Sequence, residues 1–187
     1  MDFEFTEEHL AIKKSAIRFA QKALNDEMIE RDRDGVFSRE LWRKCADFGI
    51  QGSAFPRKYG GSDADILSTM LLMEGLGYGC KDSGLIFAIN GQMWTVQMPI
   101  LRFGSDAQKD KYLPKLCSGE WIGAHGMTEP DSGSDAFSLS TTAKLEGDYY
   151  ILNGTKTFST NAPVADVFMV FATIDKYKGF MGITGFI

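Results

Sequence analysis

Apolar residues recur at helical spacing through the first two thirds of the chain and alternate with polar ones through the last third. Thr6 precedes EEHLAIKKSAIRFAQKALNDEM, in which Leu10, Ile17, Ala20 and Leu24 share one helical face. The Thr6 hydroxyl suits an N-cap, because it accepts from first-turn amides, and Glu7 and Glu8 suit the positive end of the helix dipole. The charged run over residues 31–34 predicts a solvated loop. Ser38 caps a second helix over RELWRKCADF, with Leu41, Cys45 and Phe48 aligned and Gly49 as its stop. The following IQGSAFPRKYGGSDAD is loop by its Gly, Ser and Pro content. A third helix from about Asp65 carries Ile66, Met70, Met73 and Leu76 on its apolar face and dissolves at GYG. SGLIFAINGQMWTVQMPILRFG then predicts a long, nearly all-apolar helix along Leu85, Ile89, Met93, Val96 and Ile100. Such a helix belongs at the centre of a domain or at a subunit interface, and Pro99 should bend or end it. Ser105 and Gln108 form a capping box that opens a shorter helix through Leu116.

The pattern changes after Gly119, which divides a helical domain over residues 1–119 from a β-domain over residues 120–187. WIGAHGMT reads as a strand that runs into a polar loop. TTAKLEGDYYILNGTKTFST alternates, with turns at Gly147-Asp148 and Asn153-Gly154, and ADVFMVFATI and KGFMGITGFI are strand-like. The last of these reaches Ile187 with no cap or polar tail, so a fragment cut within a β-domain is expected.

Composition narrows the function classes. The chain has 187 residues, 44% of them hydrophobic and 24% charged, as in a globular protein of one or two domains. A net charge of −5 without a basic patch argues against nucleic acid as a partner. Cys45, Cys80 and Cys117 are widely spaced, and neither they nor His9 and His125 make a metal cluster. A reduced intracellular setting fits these cysteines. The acidic N-terminus does not read as a signal or transit peptide, and no apolar run reaches membrane-spanning length.

Two segments bear candidate chemistry. GMTEPDSGSDA crowds glycines, carboxylates and hydroxyls directly after an apolar strand. Gly133 permits close approach of a ligand, consecutive amides form an anion nest, and Ser134 adds a hydroxyl donor. Thr128, at the strand end, offers a hydroxyl and an amide to a planar heterocycle. The bland alternative is an acidic surface loop that makes local turns. Glu129, Asp131 and Asp135 read as loop-ordering acceptors rather than acid/base catalysts, since no His or Lys completes a recognisable site, and the spacing is not that of a calcium loop. In NGTKTFSTNAP, Phe158 and Thr160 alternate along a predicted short strand, which places a ring and a hydroxyl on one face. A buried Phe158 at an ordinary strand end is the competing reading.

With both segments in view, the chain resembles the acyl-CoA dehydrogenase family. MTEPDSGSDA fits the signature of a small or apolar residue, Thr or Ser, Glu-Pro, two variable residues and Gly-Ser-Asp. KTFSTNAP fits a second flavin-contacting segment, Lys-x-Trp-Ile-Thr-Asn, and FPRKYGG, LRFGSDAQKDKYLPKLCSGEWIGA and FTEEHLAIKKSAIRFA fit in order. Phe158 stands in place of the usual Trp, Asp131 where a small residue is common, and His125 where many members carry an aromatic or small residue.

The resemblance implies an α+β protein. It has an all-α N-terminal domain, an incomplete antiparallel β-barrel or sandwich, and a C-terminal helical domain beyond these residues. It implies FAD as cofactor, with His125, Met127 and Thr128 beside the isoalloxazine and Gly133 and Ser134 at the pyrophosphate. Phe158, Ser159 and Thr160 would cover the ring, with Thr160 near N5, and Ser134 would also lie near the substrate's pantetheine arm. The implied reaction is α,β-dehydrogenation of an acyl thioester, on coenzyme A or on a carrier protein. A Glu base is expected outside these residues, so no catalytic residue is assigned here and the chain alone is expected to be inactive. Electron-transferring flavoprotein is the implied acceptor and a homotetramer the implied assembly, in the cytoplasm or, for a processed eukaryotic protein, the mitochondrial matrix. Met93, Trp94 and Gln97 are candidate determinants of acyl length. The alternatives are a flavin oxidase or monooxygenase, and a non-catalytic binding module.

Overall fold

The structure, a computed structural model, describes residues 4–187, and these divide into two compact units, the first ending at Trp121 and the second spanning Ile122–Ile187. The first is helical and the second is built on a five-stranded sheet.

In the helical unit, α1 (Glu7–Ala23) opens on the expected Thr6 cap, whose hydroxyl accepts from His9 N–H while His9 Nδ1 accepts from Thr6 N–H. Residues 31–34 are not a loop. They belong to α2 (Met28–Asp34), which Gly35 closes at φ +65° by donating to the Arg31 and Asp32 carbonyls. A glycine able to take the left-handed cap conformation outweighs a dense charge pattern that a solvated helix tolerates. Ser38 caps α3 (Arg39–Asp47) as expected.

α4 (Ile66–Gly79) begins at an Asp65 cap, but its buried face differs from the expected one. Ile66 is 63% and Met70 41% exposed, whereas Gly75 and Gly79 are buried. A Cβ on Gly75 would lie 2.6 Å from Lys13 O and 2.8 Å from the Ala16 Cβ, and one on Gly79 2.6 Å from Ile17 O and 2.9 Å from the Ala20 Cβ. Small residues on both helices set the closeness of the α1/α4 seam, so Ile66 and Met70 are turned outward while Met73 and Leu76 are buried as expected.

The long apolar helix forms as α5 (Ser83–Gln92) and α6 (Met98–Phe103), joined by a widened π turn at Met93–Gln97 in which Met98 N–H reaches Met93 O. Leu85, Ile89, Met93, Val96 and Ile100 are all buried. Pro99 does not end the run. It lacks an N–H, its ring crowds the carbonyl four residues back, and the wide turn in front of it absorbs both demands. α7 (Asp106–Cys117) starts with the expected Ser105/Gln108 capping box.

Buried amides knit this core. Gln51 Nε2 donates to Trp42 O at 3.1 Å, Gln97 Nε2 to Gln51 O at 3.0 Å, Gln92 Nε2 to Leu116 O at 3.0 Å, and Trp42 Nε1 to Gly119 O at 3.2 Å. Met93 and Gln97 are therefore held inside the helical unit, while Trp94 is half-buried and donates to Asn90 Oδ1 at 3.0 Å. Cys45, Cys80 and Cys117 are free and buried, and burial pushes the Cys45 and Cys117 thiols up to about 12.

The sheet unit is mixed, not antiparallel as expected. Its strands are β1 (Gly123–Gly126), β2 (Thr142–Glu146), β3 (Tyr149–Asn153), β4 (Val167–Thr173) and β5 (Ile183–Phe186), in the order β1-β4-β2-β3 with β5 also on β4. β1 runs parallel to β4, with Gly123 opposite Val167 and Gly126 opposite Val170, and β2 meets β4 in parallel at Thr142 and Thr173. The cause is the long connection over residues 127–166, which returns the chain to the end where β1 began; parallel neighbours need such a crossover. β2 and β3 pair antiparallel across the expected Gly147-Asp148 turn, with Gly147 at φ +62° as a mirror-image hairpin turn requires. β4 and β5 are also antiparallel.

The α1/α4 seam makes two glycines of one helix behave oppositely. Gly75→Ala should cost about 1–3 kcal/mol through overpacking. Gly77→Ala meets nothing within 4 Å and should gain roughly 1 kcal/mol of helix propensity. Thermal and urea unfolding of the two variants checks the difference in sign.

Candidate functional site

Two loops of the sheet unit meet at the end of β1. The first leaves the strand through Met127 and Thr128, both half-buried, and folds back at once. Glu129 and Ser132 exchange backbone bonds of 2.9 and 3.2 Å across Pro130 and Asp131, and Pro130 supplies the φ such a turn wants after its first residue. Ser132 Oγ then donates to Asp135 O at 2.7 Å, and Ser138 Oγ donates to the Asp135 carboxylate. The second loop leaves β3 at Gly154, where a Cβ would lie 2.3 Å from Thr141 Oγ1, so the chain passes directly against the residue before β2.

The expected strand through Phe158 and Thr160 does not form. Phe158 has φ +55° and Asn161 φ +69°, and two left-handed residues within four positions break any alternation. A ring residue in that region is strained, and its side chain is 93% exposed, so neither core packing nor strand pairing explains the conformation. Ser159 and Thr160 are half-buried beside it.

Backbone and side chain both join the loops. Thr157 N–H donates to Thr128 O at 2.8 Å, and Asn161 Nδ2 donates to Gly123 O at 3.1 Å. Lys156 Nζ donates to Met127 O at 3.1 Å and to Glu129 Oε1 at 2.8 Å, with side-chain exposures of 13% and 2% for Lys156 and Glu129. The Glu129 carboxylate also accepts from Ser140 N–H at 2.5 Å, Ser140 Oγ at 2.6 Å, Thr141 N–H at 2.9 Å and the Thr141 hydroxyl. Burial works to raise its pKa. The Lys156 ammonium, the Ser140 and Thr141 hydroxyls and the Ser140 amide overcome that, holding the carboxyl well below the usual carboxylate range. Glu129 and Asp135 thus order the loop, and Asp131 is exposed. Among the described residues no group of three His, Cys, Asp or Glu is placed to hold a metal.

The structure brings Met127 and Thr128 together with the loop that carries Phe158, Ser159 and Thr160. His125 is half-buried on β1, its ring 5.5 Å from that of Phe171 at a 56° tilt. Gly133 and Ser134 are exposed further along the first loop, and a Cβ on Gly133 would meet nothing within 4 Å. No hydrogen bond among the described residues ties either to the second loop. The partnership of Glu129 and Lys156 escapes the sequence reading. Its only trace is a lone Glu straight after an apolar strand and a lone Lys between two threonines, with 26 residues from 130 to 155 intervening.

Residues 6–120 match the family described as acyl-CoA dehydrogenase, N-terminal domain, and residues 124–187 its middle domain, so the chain belongs to the acyl-CoA dehydrogenase family. An L-prolyl-peptidyl-carrier-protein dehydrogenase of a Serratia species is 40% identical over 187 residues, covering 100% of this chain and 48% of the relative. A short-chain-specific acyl-CoA dehydrogenase of Clostridium acetobutylicum is 38% identical over 187 residues, covering 100% and 49%. Among solved structures, the prolyl acyl carrier protein oxidase AnaB superposes with a TM-score of 0.94 at 49% identity, covering 98% of this chain and 48% of that one. PigA with FAD and proline superposes with a TM-score of 0.94 at 40% identity, covering 100% and 49%. The chain thus spans about half the length of these relatives. No helix among the described residues is long and apolar enough to cross a membrane.

The buried carboxylate makes acid stability a readout of the site. Because the folded Glu129 pKa lies below its unfolded value of about 4.3, its contribution is complete above that value and drains away as pH falls below it toward the folded value. Glu129→Gln, which strands the Lys156 ammonium, should cost about 3–5 kcal/mol near neutral pH. It should also flatten the fall in urea midpoint between about pH 6 and pH 3 relative to the unmodified protein.

Proposed function

We propose that the protein containing this chain is an FAD-dependent dehydrogenase that removes hydrogen from the α and β carbons of an acyl thioester. The observation that carries this reading is the junction of the two loops, Thr157 N–H on Thr128 O at 2.8 Å. It sets a strained, solvent-facing aromatic ring beside a strand end rich in polar donors. A flat heterocycle suits that surface. The Phe158 ring offers a π face, and Thr128, Thr160 and Ser134 offer hydroxyls that donate to no described side chain or carbonyl. Exposed Gly133 leaves room for a phosphate to approach the backbone.

In this reading His125, Met127 and Thr128 flank the isoalloxazine. Gly133 and Ser134 receive the pyrophosphate, Ser134 also borders the pantetheine arm, and Phe158, Ser159 and Thr160 close over the ring. Bound FAD supplies the acceptor for the hydride that leaves the β-carbon. The chain's own residues hold and orient the cofactor and exclude water from its face. The base that takes the α-proton is not Glu129, whose carboxylate is fully engaged with Lys156, Ser140 and Thr141. That base lies outside these 187 residues, and the chain alone is inactive. Electrons pass onward to an electron-transferring flavoprotein, and the complete protein is a homotetramer.

A second reading places the acyl group on a carrier protein, as a prolyl thioester. The 49% identity to a prolyl acyl carrier protein oxidase supports it, as does the 40% identity to a prolyl-carrier-protein dehydrogenase. In the oxidase form of this reading, oxygen replaces the electron-transferring flavoprotein.

The test is the visible spectrum of the complete protein. Flavin bands should appear after purification with FAD and bleach anaerobically with either a short-chain acyl-CoA or a prolyl carrier protein. Bleaching by one substrate and not the other chooses between the two readings. A protein that shows no flavin bands at saturating FAD overturns both.

Two variants test the residues. Ser134→Ala combined with Thr160→Ala should weaken flavin retention and slow anaerobic bleaching. Phe158→Ala should leave the unfolding free energy within about 0.5 kcal/mol, because the ring is exposed. It should nevertheless raise the FAD dissociation constant by about threefold to tenfold.

A further inference from the structure

Lys156 is a half-buried cation with two partners, and only one of them is a charge. Its ammonium reaches Glu129 Oε1 at 2.8 Å and the Met127 carbonyl at 3.1 Å. Glu129 is fixed from the other side by Ser140 and Thr141, the two residues directly before β2, so the lysine is tied through the carboxylate to the entry of that strand. The next residue, Thr157, donates its N–H to the Thr128 carbonyl at 2.8 Å. Two successive carbonyls of the first loop are therefore drawn toward residues 156–157.

Peptide geometry converts that pull into an orientation. No peptide bond in the described residues is cis. In a trans peptide the C=O and N–H point in opposite directions. With the Met127 carbonyl on Lys156, the Thr128 N–H faces the opposite way, and it donates to no described residue. With the Thr128 carbonyl on Thr157, the Glu129 N–H is likewise turned away, and it closes the tight turn on Ser132 O at 2.9 Å. One of the two displaced donors has a protein partner. The other stands at the mouth of the site without one.

We infer that Lys156, anchored by Glu129, is a positioning residue: it rotates the Met127–Thr128 peptide so that the Thr128 N–H is presented as a preformed donor to the polar edge of the flavin. The inference rests on the flavin reading proposed above and adds a role for two residues that do not touch the cofactor. A neutral donor at position 156 would bond the Met127 carbonyl but would be held by Glu129 less firmly, without the charge attraction. A cation without Glu129 would be a buried charge with only a carbonyl to satisfy it.

The experiment uses the complete protein, loaded with FAD. In the unmodified protein, hydrogen–deuterium exchange of the peptide containing residues 127–129 should be fast without FAD and slow with it. Lys156→Met leaves Glu129 unpaired and risks unfolding, so the deciding variant is Lys156→Met with Glu129→Gln, which removes both charges. That double variant should fold by circular dichroism and bind FAD about tenfold more weakly, the worth of roughly one hydrogen bond. Its flavin visible band should also be displaced from that of the unmodified protein. A double variant with an unchanged FAD dissociation constant and an unchanged band overturns the inference, as does exchange at residues 127–129 that ignores FAD. Should neither variant fold, the exchange measurement alone decides. An unmodified protein that takes up no FAD is a different result: it removes the flavin reading itself, and the inference with it.

Discussion

The sheet unit turns on one buried ion pair. Glu129 and Lys156 sit on two loops that leave different strands, and neither loop has regular hydrogen bonding of its own to hold its shape. A carboxylate that accepts from two hydroxyls, two amides and an ammonium is fully compensated for its burial. An ion pair of this kind adds little net stability compared with apolar packing, but it is intolerant of losing one member. Its value is geometric: it specifies which faces of the Met127 and Thr128 peptides look inward and which look out.

Much of the helical unit was legible in the sequence because its signals are local. Thr6, Ser38, Asp65 and Ser105 each cap the helix they precede, and a cap needs only the next three residues. The apolar ladder from Leu85 to Ile100 is buried as its spacing demands. The buried face of α4 was only half legible because packing partners are invisible in a single segment. In α4 nearly every position is apolar or small, so bulk suggested one face, while contact with Ala16 and Ala20 selected the glycine face. Residues 31–34 differ, because there two local signals compete: the charge density favours a solvated loop, and the stop at Gly35 makes a short helix possible.

The sheet was less legible for a related reason. Strand identity follows from alternation, so β2, β3 and β4 could be placed, but strand direction depends on where an irregular crossover delivers the chain. That crossover is residues 127–166, and alternation places the β2/β3 hairpin within it but says nothing about the irregular segments 127–141 and 154–166. Within it the residue types of the site could be picked out by their chemistry, whereas the conformation of Phe158 could not. Nothing in TKTFSTN announces that an aromatic residue takes φ +55°. The ion pair lay deeper still, since it links a residue that reads as an ordinary loop carboxylate to one that reads as an ordinary hairpin lysine.

The three sulfhydryl groups of the helical unit have a practical corollary. Each lies in the interior, and two are held in the protonated, unreactive form throughout the neutral range. Peroxide and alkylating reagents therefore find no exposed cysteine among the described residues. Colour from a chromogenic disulfide such as Ellman's reagent would appear only as individual molecules open, which makes these sulfurs an internal clock for the opening of the helical core.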